Sequence, residues 1–201
     1  MLKRFLCLVL CVWSAWAMAS APTEMLEGVS RDLLHQLNAS KNVIETNQDV
    51  VVDIINRVLL PKIDTAYMSK SVIGPVYWRG ASPTLQQAFT SEFVHMVTMN
   101  YARLFSAYSN QNIEFIPYKG DYSHSKRIEV KSMVTAGEKE RFTVSYKLVK
   151  QANDDWLIYD FSIDGVSMIE SYKSQFYPVL SQKGMAGLIK SMKAHNKKNA
   201  S

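Results

Sequence analysis

Four histidines, His35, His95, His124 and His195, are the first side chains to examine for chemistry. None stands in the H-E-x-x-H spacing that sets two metal ligands on one helical face. No serine occupies a G-x-S-x-G elbow; Gly165-Val166-Ser167 is the nearest fragment, and it lacks the second glycine. A G-x-x-x-x-G-K phosphate loop is absent as well. Asp160 and Asp164 remain. Two carboxylates near a strand end can do acid–base work. A turn residue and a buried hydrogen-bonding carboxylate is the plainer reading of that pair, with no histidine nearby. Tyrosine, tryptophan and basic residues together could stack single-stranded nucleic acid. The aromatics here fall mostly at core spacing, however, and the net charge is only +5.

The elements that would position these groups follow from periodicity. Leu26, Val29, Leu33 and Leu37 recur at helical spacing. A second helix starts after Asn47 and carries Val50, Val51, Ile54, Ile55, Val58 and Leu59, with Pro61 predicted to end it. Asp64 to Ile73 reads as a short helix broken by Gly74-Pro75. Ser82-Pro83 is a helix start, since serine can cap free amides and proline suits the first helical position. From there Phe89, Phe93, Met96, Val97, Tyr101, Leu104, Phe105 and Tyr108 form a long aromatic-rich stripe.

The pattern then changes. Ile113 to Tyr118 reads as a strand. Ile128, Val130 and Val134 alternate imperfectly, while Phe142, Val144, Tyr146 and Leu148 alternate cleanly with polar residues. Ala152-Asn153-Asp154-Asp155 is a turn into a strand from Trp156 to Ile163. After Gly165 a helix from Met168 to Tyr177 is predicted to stop at Pro178, and a last helix spans Met185 to Met192. The expectation is an α+β domain: several helices packed on one face of a curved antiparallel sheet of about four strands, enclosing an apolar cavity.

The N-terminus reads as a removable leader. Met1-Leu2-Lys3-Arg4 is basic, Phe5 to Trp16 is apolar apart from Ser14, and Ala17-Met18-Ala19 offers small residues at a cleavage site. Residues 1–19 are therefore expected to be a secretory signal, and 20–201 one domain in the periplasm. Cys7 and Cys11 both lie in the leader, so the rest has no disulfide framework or thiol chemistry. Without Lys3 and Arg4, the 23 basic residues become 21 against 18 acidic ones, and the charge falls from +5 to +3. The basic tail of Lys190, Lys193, Lys197 and Lys198 reads as a solvated face, with contact to anionic lipid or an acidic partner as the sharper alternative.

Two stretches carry a family resemblance. The first is Tyr67-Met68-Ser69 through Val72-Ile73-Gly74, then Tyr77-Trp78-Arg79, Ala81-Ser82-Pro83, Gln86, Phe89 and Phe93, continuing to Tyr101-Ala102 and Tyr108. The second is Trp156, Ile158, Asp160, Ile163, Gly165-Val166-Ser167 and Tyr172-Lys173-Ser174-Gln175-Phe176. Together they resemble the MlaC (toluene-tolerance) family of periplasmic phospholipid-binding proteins. Lys173 stands where the family usually has arginine, and Ile73 where leucine is common.

The resemblance implies a carrier, not an enzyme. It implies phospholipid as cargo and no cofactor. It also implies two partners: an outer-membrane lipoprotein–porin complex, and an inner-membrane ABC transporter complex with an MCE-domain ring. The role would be to maintain outer-membrane lipid asymmetry. No nucleic acid and no metal are expected, and the carrier is expected to be a monomer. Burying two acyl chains of about 30 methylenes is worth on the order of 20 kcal/mol, so the cavity must be deep and dry. The residues placed on its wall are Phe93, Val97, Tyr101, Leu104 and Phe105 of the long helix, facing Val144, Tyr146, Ile158 and Ile163 of the strands. A small periplasmic enzyme using Asp160 or Asp164, and an adaptor with a filled core, are the rival readings.

Overall fold

The computed structural model describes residues 21–107, 111–136 and 140–199. The expected leader, with Cys7 and Cys11, lies outside them. Helix α1 (Pro22–Ala39) starts on a proline and buries Leu26, Val29, Leu33 and Leu37 along one stripe. After the short α2 (Lys41–Ile44), α3 (Asp49–Val58) buries Val51, Ile54 and Ile55. Pro61 then sits in a 3-10 turn, Leu60–Lys62, that carries the chain to Ile63. Ile63 bridges in parallel to Ile158, at the sheet edge.

The Asp64 carboxylate caps α4 (Thr65–Ile73), accepting from the Tyr67 amide at 2.9 Å. Gly74, at φ 81°, turns the chain into α5 (Pro75–Gly80), a helix the sequence reading leaves out. The predicted start at Ser82-Pro83 is where α6 (Pro83–Ala107) begins, with the Ser82 hydroxyl accepting from the Leu85 amide at 3.3 Å.

Strands β1 (Gln111–Ile116), β2 (Arg127–Ala136), β3 (Glu140–Lys150), β4 (Trp156–Ile163) and β5 (Val166–Ser167) form one antiparallel meander in chain order. The fifth strand, two residues long, is the one the prediction of about four lacks. The β3–β4 register shifts between Lys147 and Leu148, leaving Tyr159 as a bulge.

Pro178 does not stop the last helix. Helical backbone runs over α7 (Met168–Asn199), and its break falls at Gly184, at φ 63°. Proline removes one helical hydrogen bond. Here Phe176 and Leu180 are buried on either side of Pro178, and that packing carries the helix through.

Three packed clusters hold the fold. The largest joins α4, α6 and α7 around Phe89, Phe93, Tyr172 and Phe176. The second seats Leu26 of α1 on Ile128, Val130, Leu148, Trp156 and Ile158 of the sheet. The third joins α1, α3 and Ala102 of α6. Among the described residues, no helix is long and apolar enough to cross a membrane.

Candidate functional site

Register assigns each strand residue to a face. Val144, Tyr146 and Leu148 share the face that meets α1 and α6; across the ladder they pair with Ser132, Val130 and Ile128 on one side, and Ile163, Phe161 and Ile158 on the other. This inner face is apolar. The Tyr159 bulge keeps Ile158, Phe161 and Ile163 on one side although their spacing breaks the period of two. The outer face carries Arg127, Glu129, Lys131 and Lys147.

The nine sequence-predicted wall residues separate. Val144 is buried, Tyr146 and Ile163 are half-buried, and all three lie on the inner face. Tyr101 of α6 reaches the same face, its ring edge-on to Phe161 at 5.0 Å. Val97 packs against the α4–α6–α7 cluster. Phe93 is wholly buried within that cluster, stacked on Phe89 at 5.5 Å and edge-on to Tyr172 at 5.3 Å. Ile158 packs under α1 with Leu148 and Leu26. Leu104 and Phe105 belong to α6, but their side chains lie outside the described residues. The sequence reading omits Phe161 and Val134, which share the inner face with Val144; alternation was the signal available for Val134, while the bulge hides Phe161 from it.

Val134 and Val144 are buried, yet they lie outside the three packed clusters of described residues. Beside them the Ser132 and Tyr146 hydroxyls face each other at 3.4 Å. Burial holds the Tyr146 phenol above its ordinary pKa. Tyr101 is pushed up to about 12, first by burial and then by the nearby Tyr172 and Asp160.

Both candidate acid–base carboxylates are engaged. Asp160, 2% exposed, accepts from the Lys147 ammonium at 2.9 Å, the Ser167 hydroxyl at 2.7 Å and the Ile169 amide at 3.2 Å. It ties β3 and β4 to the first turn of α7. Asp164, at φ 47°, sits in the β4–β5 turn and accepts from the Thr143 amide at 2.9 Å. The Lys173 ammonium meets Glu170 one turn away at 3.3 Å, on the surface. No group of three or more metal-capable side chains occurs among the described residues.

Two open grooves line α6. One, of about 350 Å³, runs between α3 and α6 past Val52, Asn56, Thr90 and His95. The other, of about 360 Å³, lies between Ser91, His95 and the end of α7. Neither is lined by any of the nine predicted wall residues.

The sequence profile of the family described as "MlaC protein" matches residues 27–194. The toluene tolerance protein Ttg2D of Pseudomonas putida is 28% identical over 166 residues, covering 83% of this chain and 76% of that one. The intermembrane phospholipid transport system binding protein MlaC of Haemophilus influenzae is 23% identical over 175 residues, covering 86% and 81% respectively. A phospholipid-binding protein of Ralstonia solanacearum, solved in complex with a phospholipid, superposes with a TM-score of 0.82 at 23% identity, over 90% of this chain and 100% of that one. That likeness establishes the fold.

Proposed function

The chain belongs to the MlaC family, and we propose that it binds phospholipid by its acyl chains and carries it between membranes. The finer reading is a monomeric periplasmic shuttle, released from a leader of residues 1–19. It exchanges cargo between an outer-membrane lipoprotein–porin complex and an inner-membrane MCE-domain ABC transporter, and so maintains outer-membrane asymmetry. The observation that carries the lipid reading is the inner face of the sheet. Val134 and Val144 are buried there outside the packed clusters of the described residues, on the face that Tyr101 of α6 reaches. The name of the Haemophilus relative and the ligand of the Ralstonia protein support the same class of cargo.

On this reading the acyl chains lie between α6 and Val144, Tyr146 and Ile163. The Tyr101–Phe161 contact is among those that part to admit them. The headgroup stays in water, with weak selectivity. Release needs a partner, because transfer from bilayer to cavity exchanges one apolar environment for another.

The test is mass spectrometry of an organic extract of the purified domain, beside a Val144→Trp variant. The expected result is near-stoichiometric diacyl phospholipid in the wild type and less in the variant. A folded wild type that yields no lipid even after incubation with liposomes would sink the reading.

A further inference from the structure

The outer face of the sheet holds an arrangement that cargo binding does not use. Tyr67 of α4 and Tyr159 of the β4 bulge meet edge-on, with ring centroids 4.9 Å apart. The Arg127 guanidinium of β2 lies over both rings, 5.4 Å from the Tyr67 centroid and 6.0 Å from that of Tyr159. Arg127 is exposed, and its guanidinium makes no hydrogen bond or ion pair among the described residues. The ring faces attract the cation, and a planar guanidinium offers several N–H donors to a partner. Along the same face of β2 the charges alternate, with Glu129 paired to Lys131 at 3.6 Å.

We propose that Arg127, lying over Tyr67 and Tyr159, is the centre of a docking surface for a partner protein that presents a carboxylate. This rests on the carrier reading above, and adds the surface through which the carrier meets a membrane complex. Three observations favour a protein carboxylate. Arginine and tyrosine are the residue types enriched at binding hot spots. A guanidinium, with its planar fork of donors, is suited to a bidentate carboxylate contact. The alternation of Arg127, Glu129 and Lys131 complements a surface of mixed charge, whereas a uniformly anionic lipid surface would meet Glu129 as well. The surface lies on the opposite side of the sheet from Val144 and Tyr146, so docking leaves the cargo face clear.

The test measures binding of the lipid-loaded carrier to two purified membrane complexes in nanodiscs, the MCE-domain transporter and the lipoprotein–porin complex. Binding to vesicles of phosphatidylglycerol and phosphatidylethanolamine is measured in parallel. Arg127→Glu is expected to weaken binding to at least one complex by about thirtyfold, the effect of a hot-spot residue. Arg127→Lys should give a smaller loss. Both variants should keep the wild-type thermal midpoint and lipid content, since Arg127 is exposed and remote from the cargo face. Wild-type binding that Arg127→Glu leaves within twofold overturns this proposal alone. A wild type that carries lipid but binds neither complex overturns it together with the partner reading. A loss confined to the vesicles assigns the site to membrane lipid and overturns the protein occupant.

Discussion

Replacing Asp160 with asparagine separates the structural account of this carboxylate from a catalytic one. Its side chain is 2% exposed and accepts three hydrogen bonds, of which those from Lys147 and Ser167 are the shortest, at 2.9 and 2.7 Å. Asparagine keeps the shape and one acceptor oxygen, enough for the Ile169 amide. It loses the charge and turns an NH₂ toward donors. A hydrogen bond to a charged group contributes about 1.5–3 kcal/mol. The Lys147 partner is 39% exposed and regains water, so its share is discounted. The net loss is then about 3 kcal/mol, which for a domain of this size lowers the thermal midpoint by about 6–12 °C.

Urea unfolding of the purified domain measures it, with the slope unchanged if the denatured state is unaffected. The bond to Asp160 holds the Lys147 ammonium above its ordinary pKa. Its contribution is therefore present below that ordinary value and fades as pH rises through the elevated one, and Asp160→Asn should remove this alkaline dependence. Wild-type stability in the variant, within about 0.5 kcal/mol, would refute the reasoning. If such a variant also lost a hydrolytic activity present in the wild type, Asp160 would be an acid–base residue.

Phe93→Ala, at a wholly buried position between Phe89 and Tyr172, is expected to cost about 3–5 kcal/mol in urea unfolding. Loss of cargo at unchanged stability would instead put Phe93 on the cargo wall. Gly184→Ala meets no steric contact, but it places a side chain at φ 63° and ψ −174°, a region essentially kept for glycine, so a loss of about 1–3 kcal/mol is expected and an equal or higher thermal midpoint contradicts it. The tyrosinate difference titration between wild type and Tyr101→Phe should have its midpoint near 12, the raised value of this phenol. Its contribution to stability is full below pH 10 and declines as pH rises through that value toward 12; a midpoint at 10 would mean the phenol is open to water.

The element types were legible because capping and periodicity are local. Asp64 and Ser82 sit at helix starts where their side chains accept amide bonds, and the strand alternation of Phe142 to Leu148 is that of β3. One helix end was misplaced for a tertiary reason. Pro178 is carried by the buried Phe176 and Leu180, so the helix runs on to a break at Gly184, directly before the Met185 start read from the sequence. The wall residues were only partly legible, because α6 is apolar on more than one side. Phe93 turns to α7, Ala102 to α1 and α3, and Tyr101 to the sheet. A single helical period cannot say which of three neighbours each residue meets. The Tyr159 bulge compounds this, since it exchanges the face of every residue after it in β4.

On the proposed reading, the two faces of the sheet divide the work of a carrier. In β3, Tyr146 points inward and its neighbour Lys147 outward; on that reading cargo meets the inner face and a partner meets Arg127 of β2 on the outer one. The acyl chains gain on the order of 20 kcal/mol whether they are buried in protein or in a bilayer. The equilibrium between the two is thus set by a small difference of large terms, and a partner that favours one conformation by a few kcal/mol is enough to reverse it. Such a partner must bind without occupying the cargo face. An outward-facing arginine over two tyrosine rings meets that requirement, and a groove on the inner face does not.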